Sequence, residues 1–324
     1  LFTNPAAMVN VEQEFSAAEI TLSMYGPVFE LMDVLTDYAG SGGALDISGL
    51  VGDRGFAAGI DMGGPLALGW VGKGGGFGVF NRTRGDAVVT GNRVRPVLSE
   101  EVILMGGYSW RLVDANHHAL SLGFVAKAFF RGVVNMEASI FDASEIISTP
   151  FNKPFSTHLG LGADLGLLYS FKDFSAALVG YDPFSPVILT KYRKMGDFGK
   201  EADTVTSFAR VKPRLDLGLA YRIRWPFLER FVSRFVIMAD YRDFLDLAEL
   251  VPRNPILNVG LGLELTLLEI LSLRAGINDA LPSLGLGLDL HFMKLDCAIR
   301  GKELGLDPGV NPVYAIDIGL LFRY

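Results

Sequence analysis

The stretch YAIDIGLLFRY, residues 314–324, decides the fold. Tyr314, Ile316, Ile318, Leu320, Phe322 and Tyr324 share one parity, while Ala315, Asp317, Gly319, Leu321 and Arg323 share the other. Successive side chains of a strand point to opposite faces. This segment therefore has one wholly apolar, aromatic face and one that mixes an acid, a base, a glycine and aliphatic residues. Either face could meet a core, and the rest of the chain decides which does.

The pattern recurs. LNVGLGLELTLL (257–268), LGLGLDLHF (284–292) and LGLGADLGLLYSF (159–171) alternate leucine with glycine and acid, and Leu215 to Trp225 alternate apolar residues with Asp216, Gly218, Arg222 and Arg224. A soluble sandwich also alternates, but its outer face is coated with Lys, Glu, Thr and Ser. Here the polar face carries glycine and charge together. Aromatics gather at the ends of the apolar face (Tyr169, Phe171, Tyr221, Trp225, Phe322 and Tyr324), as in the girdles of membrane barrels. The apolar face is thus read as lipid-facing and the polar face as lumenal.

Composition agrees. Half of the 324 residues are hydrophobic, yet no run of about 18 uncharged apolar residues provides a membrane helix. The net charge of −7 and the scattered basic residues speak against a nucleic-acid partner. Cys297 is the single cysteine and there are four histidines, so no metal-ligand spacing is recognisable. We expect Cys297 to be a packed or lipid-facing thiol. The chain begins at Leu1 without a basic segment and apolar stretch, so either a leader has been removed or the chain is trimmed.

Fourteen strands are predicted at 14–25, 65–72, 76–90, 98–112, 117–135, 157–170, 173–184, 205–224, 231–243, 254–268, 270–278, 282–292, 294–303 and 311–324. The links between them alternate long and short, which suits long extracellular loops, short periplasmic turns and both termini in the periplasm. The predicted fold is all-β: a transmembrane antiparallel barrel over 14–324, preceded by a short hatch-like segment at 1–13. Helical spacing in PVFELMDVLTDYAG (27–40) and DFLDLAELVP (243–252) predicts short helices in extracellular loops.

Near the start stands TNPAAMVNV. Asn4, Pro5 and Ala6, followed by an apolar stretch leading into the first strand, resemble the FadL-type long-chain fatty-acid transporter family of outer-membrane β-barrels, in which an Asn-Pro-Ala ends an N-terminal hatch inside a fourteen-stranded barrel. The family's hatch is longer than the segment before the first strand here, so either upstream residues are absent from this chain or the hatch is shortened. The closing aromatic also resembles the C-terminal assembly signal of bacterial outer-membrane barrels. The resemblance implies transport of a hydrophobic small molecule, with a long-chain fatty acid as the expected substrate, and a kink in the third strand that opens a lateral exit to outer-membrane lipid. Gly85, in FGVFNRTRGDAVV (77–89), is the candidate for that kink because alternation fails around it.

Two groups of residues are candidates for function. Phe141, Ile146, Phe151 and Phe155 in one loop, with Phe184, Val187, Ile188 and Leu189 in the next, are apolar for segments facing water and are predicted to line a capture groove. The alternative is a self-packed cap. Asp164, Arg210, Arg214, Asp216, Arg222, Arg224, Glu264, Asp289 and Asp317 share the inward parity and are predicted to form a lumenal charge network. The bulky inward residues Met105, Phe129, Leu168 and Met238 argue against an open ion channel. The histidines have no nucleophile or carboxylate partner at telling spacing, and GKGGGFG (72–78) lacks the order of a dinucleotide site, so neither an enzyme nor a cofactor is expected. The competing function is a plugged structural or interaction barrel presenting its loops to protein partners.

Overall fold

The computed structural model describes residues 3–27, 55–139, 152–200, 204–224 and 230–323, together with 30, 33, 36 and 37. Strands build a single closed wall. β1 (Gln13–Tyr25), β2 (Phe56–Gly72), β3 (Gly75–Thr90), β4 (Arg93–Ala115), β5 (His118–Asn135) and β6 (Phe155–Phe171) run in order. β7 has two pieces, Phe174–Tyr181 and Pro186–Tyr192, as does β8, Val205–Arg210 and Arg214–Arg222. β9 (Val232–Tyr241), β10 (Val259–Leu267), β11 (Leu271–Asn278), β12 (Leu281–Asp289), β13 (Met293–Glu303) and β14 (Pro312–Arg323) complete the wall. Every neighbouring pair is antiparallel, and β14 closes on β1 with Ile20 opposite Leu320 and Leu22 opposite Ile318. Closure leaves no free edge at membrane depth, which lipid cannot satisfy.

Parity sorts the faces as the closing stretch implied. Leu159, Leu161, Leu165 and Leu167 of β6 are exposed on the outside, while Gly160, Gly162, Asp164 and Gly166 are buried on the inside. The same holds for Leu284 and Leu286 of β12 and for Ile299 of β13. Cys297 has the outward parity of Ile299 and is exposed. With lipid against this band, these side chains are in their preferred solvent. The chain is a transmembrane barrel of the bacterial outer membrane. Tight turns at 73–74, 116–117 and 172–173 mark the periplasmic end.

The wall departs from the predicted strands where proline or glycine sits inside a strand. β2 begins at Phe56 rather than 65, because Gly63-Gly64-Pro65 is an irregularity within a strand and not its boundary. The predicted 91–97 link is only a turn at Gly91 and Asn92. Residues 186–192, expected as loop, continue β7 beyond a break at 182–185, and β8 is interrupted at 211–213, each break holding a proline that cannot donate to the ladder. Of the predicted loop helices, 243–252 holds a single 3-10 turn, Phe244–Ala248. Most of 27–40 lies outside the described residues.

Candidate functional site

The N-terminal segment lies inside the barrel. Pro5–Asn10 forms a 3-10 turn, with Pro5 at its first position and the Asn4 side chain accepting from the Ala6 N–H at 2.9 Å. Asn4 Nδ2 also donates to the Leu167 carbonyl of β6, and the Tyr181 hydroxyl donates to the Thr3 carbonyl. Pro5, Ala6 and Met8 are buried, and Met8 joins Met105 of β4 and Val125 of β5 in a small core. Two inward glycines make room for it. A Cβ on Gly123 would lie 2.2 Å from the Pro5 carbonyl carbon, and one on Gly166 would lie 2.2 Å from Asn4 Oδ1. The sequence motif therefore docks on the inner face of β4, β5 and β6.

The expected lumenal charges are paired, but in separate groups around the wall. Asp164 pairs with Lys127 at 2.8 Å, which also reaches Asp182 at 3.0 Å, and Ser185 Oγ donates to Asp182. Glu264 pairs with Arg274, which bridges to Asp296, and Asp317 pairs with Arg300. Asp289 accepts two bonds from Arg323 and one from the His291 N–H, Arg224 pairs with Asp173, and Arg214 pairs with Asp216 while stacking on Tyr181. Arg222 donates to the Ser233 carbonyl, whereas Arg210, expected inward, shares the outward parity of Phe208 opposite Ile188 and stands outside the network, because the break at 211–213 shifts the parity of the upper piece of β8. Arg274, Arg300 and Asp296 were missing from the sequence-derived set. Their inward parity was legible, but only register brought Arg274 opposite Glu264 and set Arg300 diagonal to Asp317.

The predicted capture groove is not one surface. Val187 and Leu189 are paired with the inward residues Gly160 and His158, whereas Ile188 faces out beside Leu159. Phe155 also faces out, in an aromatic cluster with Tyr192 (5.9 Å) and Phe198 (5.7 Å) at the extracellular rim. Phe184 protrudes from the β7 break and is 74% exposed. Phe141, Ile146 and Phe151 lie outside the described residues. The reason is strand continuation: once 186–192 is strand, its alternate residues must part to opposite faces.

Gly85 sits in unbroken register between Ile60 and Leu98. The irregularity lies instead in β2. Gly63 pairs with Arg82 and Ala67 with Phe80, so Gly64, Pro65 and Leu66 face Asn81 alone. The Asn81 side chain accepts from the Leu66 N–H at 3.0 Å, replacing the lost ladder bond. Toward β1, ladder pairing stops after Ser16–Gly69 and resumes at Thr21–Gly63, leaving residues 17–20 and 64–68 unpaired across that seam. Behind it lies a cavity of about 330 Å³ lined by Ala67, Phe80, Ile103, Thr21, Glu19 and Asn81. Leu66 and Leu68 are exposed on the outside of the same stretch. Polar alternation around Gly85 reflected lumenal ion pairs of Arg82 with Asp61 and of Arg84 with Asp86, not a kink.

The extracellular rim opposite is stitched tightly. Arg242 and Arg253 converge on Asp279 at 2.6 and 3.2 Å, and Arg253 donates to the Glu303 carbonyl. The buried Glu303 carboxylate accepts from the N–H groups of Gly305, Gly309 and Asn311 at 2.7 to 2.8 Å. Burial alone would raise its pKa, but these three donors outweigh that and hold it below the ordinary glutamate value. A depressed folded pKa supplies stability above the unfolded value that is lost as pH falls through the folded one. Amide-exchange protection of Gly305, Gly309 and Asn311, corrected for intrinsic rates, is therefore expected to be full at neutral pH and to be lost only as pH falls below the ordinary glutamate range. Glu303→Gln should show the weakened protection at every pH.

No protein-family model and no curated protein matches the chain. Among solved structures it is similar in shape to the Pseudomonas putida toluene transporter TodX, at 11% identity over 99% of this chain and 92% of that one, with a TM-score of 0.46. A Pseudomonas aeruginosa FadL homologue aligns at 14% identity over 99% and 91%, with a TM-score of 0.44. The translocator domain of the autotransporter NalP from Neisseria meningitidis aligns at 10% over 97% and 89%, with a TM-score of 0.40. By its own strand count and the Asn-Pro-Ala turn docked inside the wall, the chain is a fourteen-stranded outer-membrane barrel that resembles the FadL type.

Proposed function

We propose that the barrel carries hydrophobic small molecules across the outer membrane and releases them sideways, with a long-chain fatty acid as the substrate its resemblance implies. The observation that carries this reading is the unpaired seam between β1 and β2, backed by a cavity with Phe80, Ile103 and Ala67 in its wall. An apolar solute gains by moving from that cavity into lipid, so the release step needs no energy source. Exposed apolar side chains at the extracellular end, including Phe184 and Phe208, give it a surface to land on. The N-terminal segment acts as a hatch that blocks the β4 to β6 side of the lumen.

Deleting Gly64 and Pro65 tests the reading, because it places Leu66 opposite Asn81 and regularises the β2–β3 ladder. Uptake of labelled long-chain fatty acid by cells whose only transporter is this barrel should fall to that of cells without it, while surface expression persists. Organic extracts of the purified parent should contain a defined hydrophobe, reduced in Phe184→Arg. Undiminished uptake by the deletion, with no hydrophobe recovered from the parent, would leave a scaffold that presents its loops to protein partners.

A further inference from the structure

We infer that the barrel half opposite the N-terminal segment holds a water-filled passage that reaches Asn278 at the extracellular end of β11 and whose periplasmic mouth accepts small anions, carboxylates and phosphates. The lumen is divided by side-chain size. Met105, Phe129 and Leu168 stand on β4, β5 and β6, where the N-terminal segment also docks, while Met238 alone of the bulky residues named from the sequence stands on the other side, on β9. A Cβ at Gly160 would lie 2.3 Å from the Phe129 ring, so that side is filled. On the opposite side the inward positions of β10 to β14 are repeatedly glycine: Gly260, Gly262, Gly276, Gly285, Gly287 and Gly319. Glycine there leaves space where any other residue would narrow the lumen.

Three cavities adjoin one another in that space. The cavity behind the β1–β2 seam shares Glu19, Thr21, Ser23 and Arg300 with a mid-lumen cavity of about 590 Å³. The mid-lumen cavity in turn shares Arg274 and Lys294 with a basin of about 700 Å³ at the periplasmic end. The basin's rim comes from the turns at 172–173 and 268–270 and from the starts and ends of β8, β9 and β13.

Its charge is what selects. Lys172, Arg222, Arg224, Arg234, Arg274 and Lys294 line it against the four acids Asp173, Glu264, Glu269 and Asp289, an excess of two positive charges. Three of those acids are already engaged: Asp173 by Arg224 at 2.7 Å, Glu264 by Arg274 at 2.9 Å and Asp289 by Arg323 at 2.7 Å. Arg234 reaches only the already engaged Glu264, at 3.7 Å, and the Arg222 guanidinium meets a main-chain carbonyl among the described residues. Guanidinium groups with no carboxylate of their own among the described residues, set in a basin with low-dielectric walls, focus a positive potential, and their planar forks suit carboxylate and phosphate oxygens. The mid-lumen cavity carries four acids against three bases, so the preference is set at the mouth. The inference stands apart from the hydrophobe route, which uses the β1–β2 seam and survives if this one fails.

Planar bilayers of phosphatidylcholine holding the purified barrel under a potassium chloride gradient provide the test. The expected result is a stepwise current whose reversal potential lies on the chloride side, reduced by millimolar inorganic phosphate or hexanoate added at the periplasmic face. Arg222→Glu with Arg234→Glu should move the reversal potential to the potassium side and abolish block by phosphate. Arg222→Gln with Arg234→Gln should shift it the same way by less, which guards against a folding defect in the reversed pair. A current no larger than that of the bare bilayer overturns the inference, as does a reversal potential indifferent to both pairs. Block that requires phosphatidylglycerol in the bilayer and never follows dissolved anion overturns the solute assignment, because the site then belongs to a lipid head group.

Discussion

Gly123→Val combined with Gly166→Val is expected to expel the N-terminal segment from the inner wall while leaving the barrel folded. At both positions the added Cβ meets the segment and not the wall: Pro5 and Ala6 backbone at 2.2 to 2.3 Å from residue 123, and Asn4 Oδ1 at 2.2 Å from residue 166. Contacts that short do not occur, so something must move. The mobile partner is the six-residue 3-10 turn, which is held by one small apolar core, the Asn4 bonds, the Tyr181–Thr3 bond and an Arg111 bond to the Asn10 side chain. Overpacking of this kind costs roughly 1–3 kcal/mol or more, comparable to what so short a segment can gain by docking. Neither glycine has positive φ, so valine strains no backbone and the strands keep their ladders. Limited proteolysis from the periplasmic side should cleave the double variant within the segment and spare the parent, and the variant should pass larger solutes. Gly262→Val, whose Cβ finds only Met238 at 3.5 Å, is the control and should leave the segment protected. Equal protection in all three would mean that the segment is held by something other than the glycine notch.

Lys127→Met is the second large effect, on stability and not on docking. Lys127 Nζ lies between the carboxylates of Asp164 and Asp182 at 2.8 and 3.0 Å, and Asp164 is only 3% exposed. Asp164 also accepts from the Asp182 N–H, so the ammonium holds together the corner at which β7 breaks. Removing it leaves the buried Asp164 carboxylate facing the half-buried one of Asp182, and removal of one partner from a buried ionic group costs about 3–5 kcal/mol. The urea midpoint for loss of the folded, heat-modifiable band should drop accordingly. Adding Asp182→Asn to Lys127→Met removes one of the stranded charges and should recover part of the loss, a coupling that a double-mutant cycle measures. A Lys127→Met barrel as stable as its parent would show that water already solvates this cluster and that the break is held by Ser185 and the prolines.

The fourteen strands were legible because a barrel wall repeats one local rule. YAIDIGLLFRY, LGLGADLGLLYSF and LNVGLGLELTLL each state the period of two, and an apolar outer face with glycine and charge within leaves only a membrane barrel. The Asn-Pro-Ala motif was readable as a lumenal segment through its resemblance, and the structure supplies the reason in Gly123 and Gly166. What misled was proline and glycine within strands. Gly63-Gly64-Pro65 read as the end of a loop and Ser185-Pro186 as the start of one, since local breakers look alike whether a strand ends or merely skips a residue. Reading 186–192 as loop then merged Val187 and Leu189 with Phe155 and Ile188 into a groove that the wall keeps apart.

By itself, then, the sequence determined which residues face lipid, which face the lumen and how many times the chain crosses, because parity is a local property of each strand. The tertiary structure alone decided where the wall is unpaired, which charges meet and which half of the lumen stays open. Those depend on register between strands and on which side chains face each other across the closed wall, and period two carries no information about either.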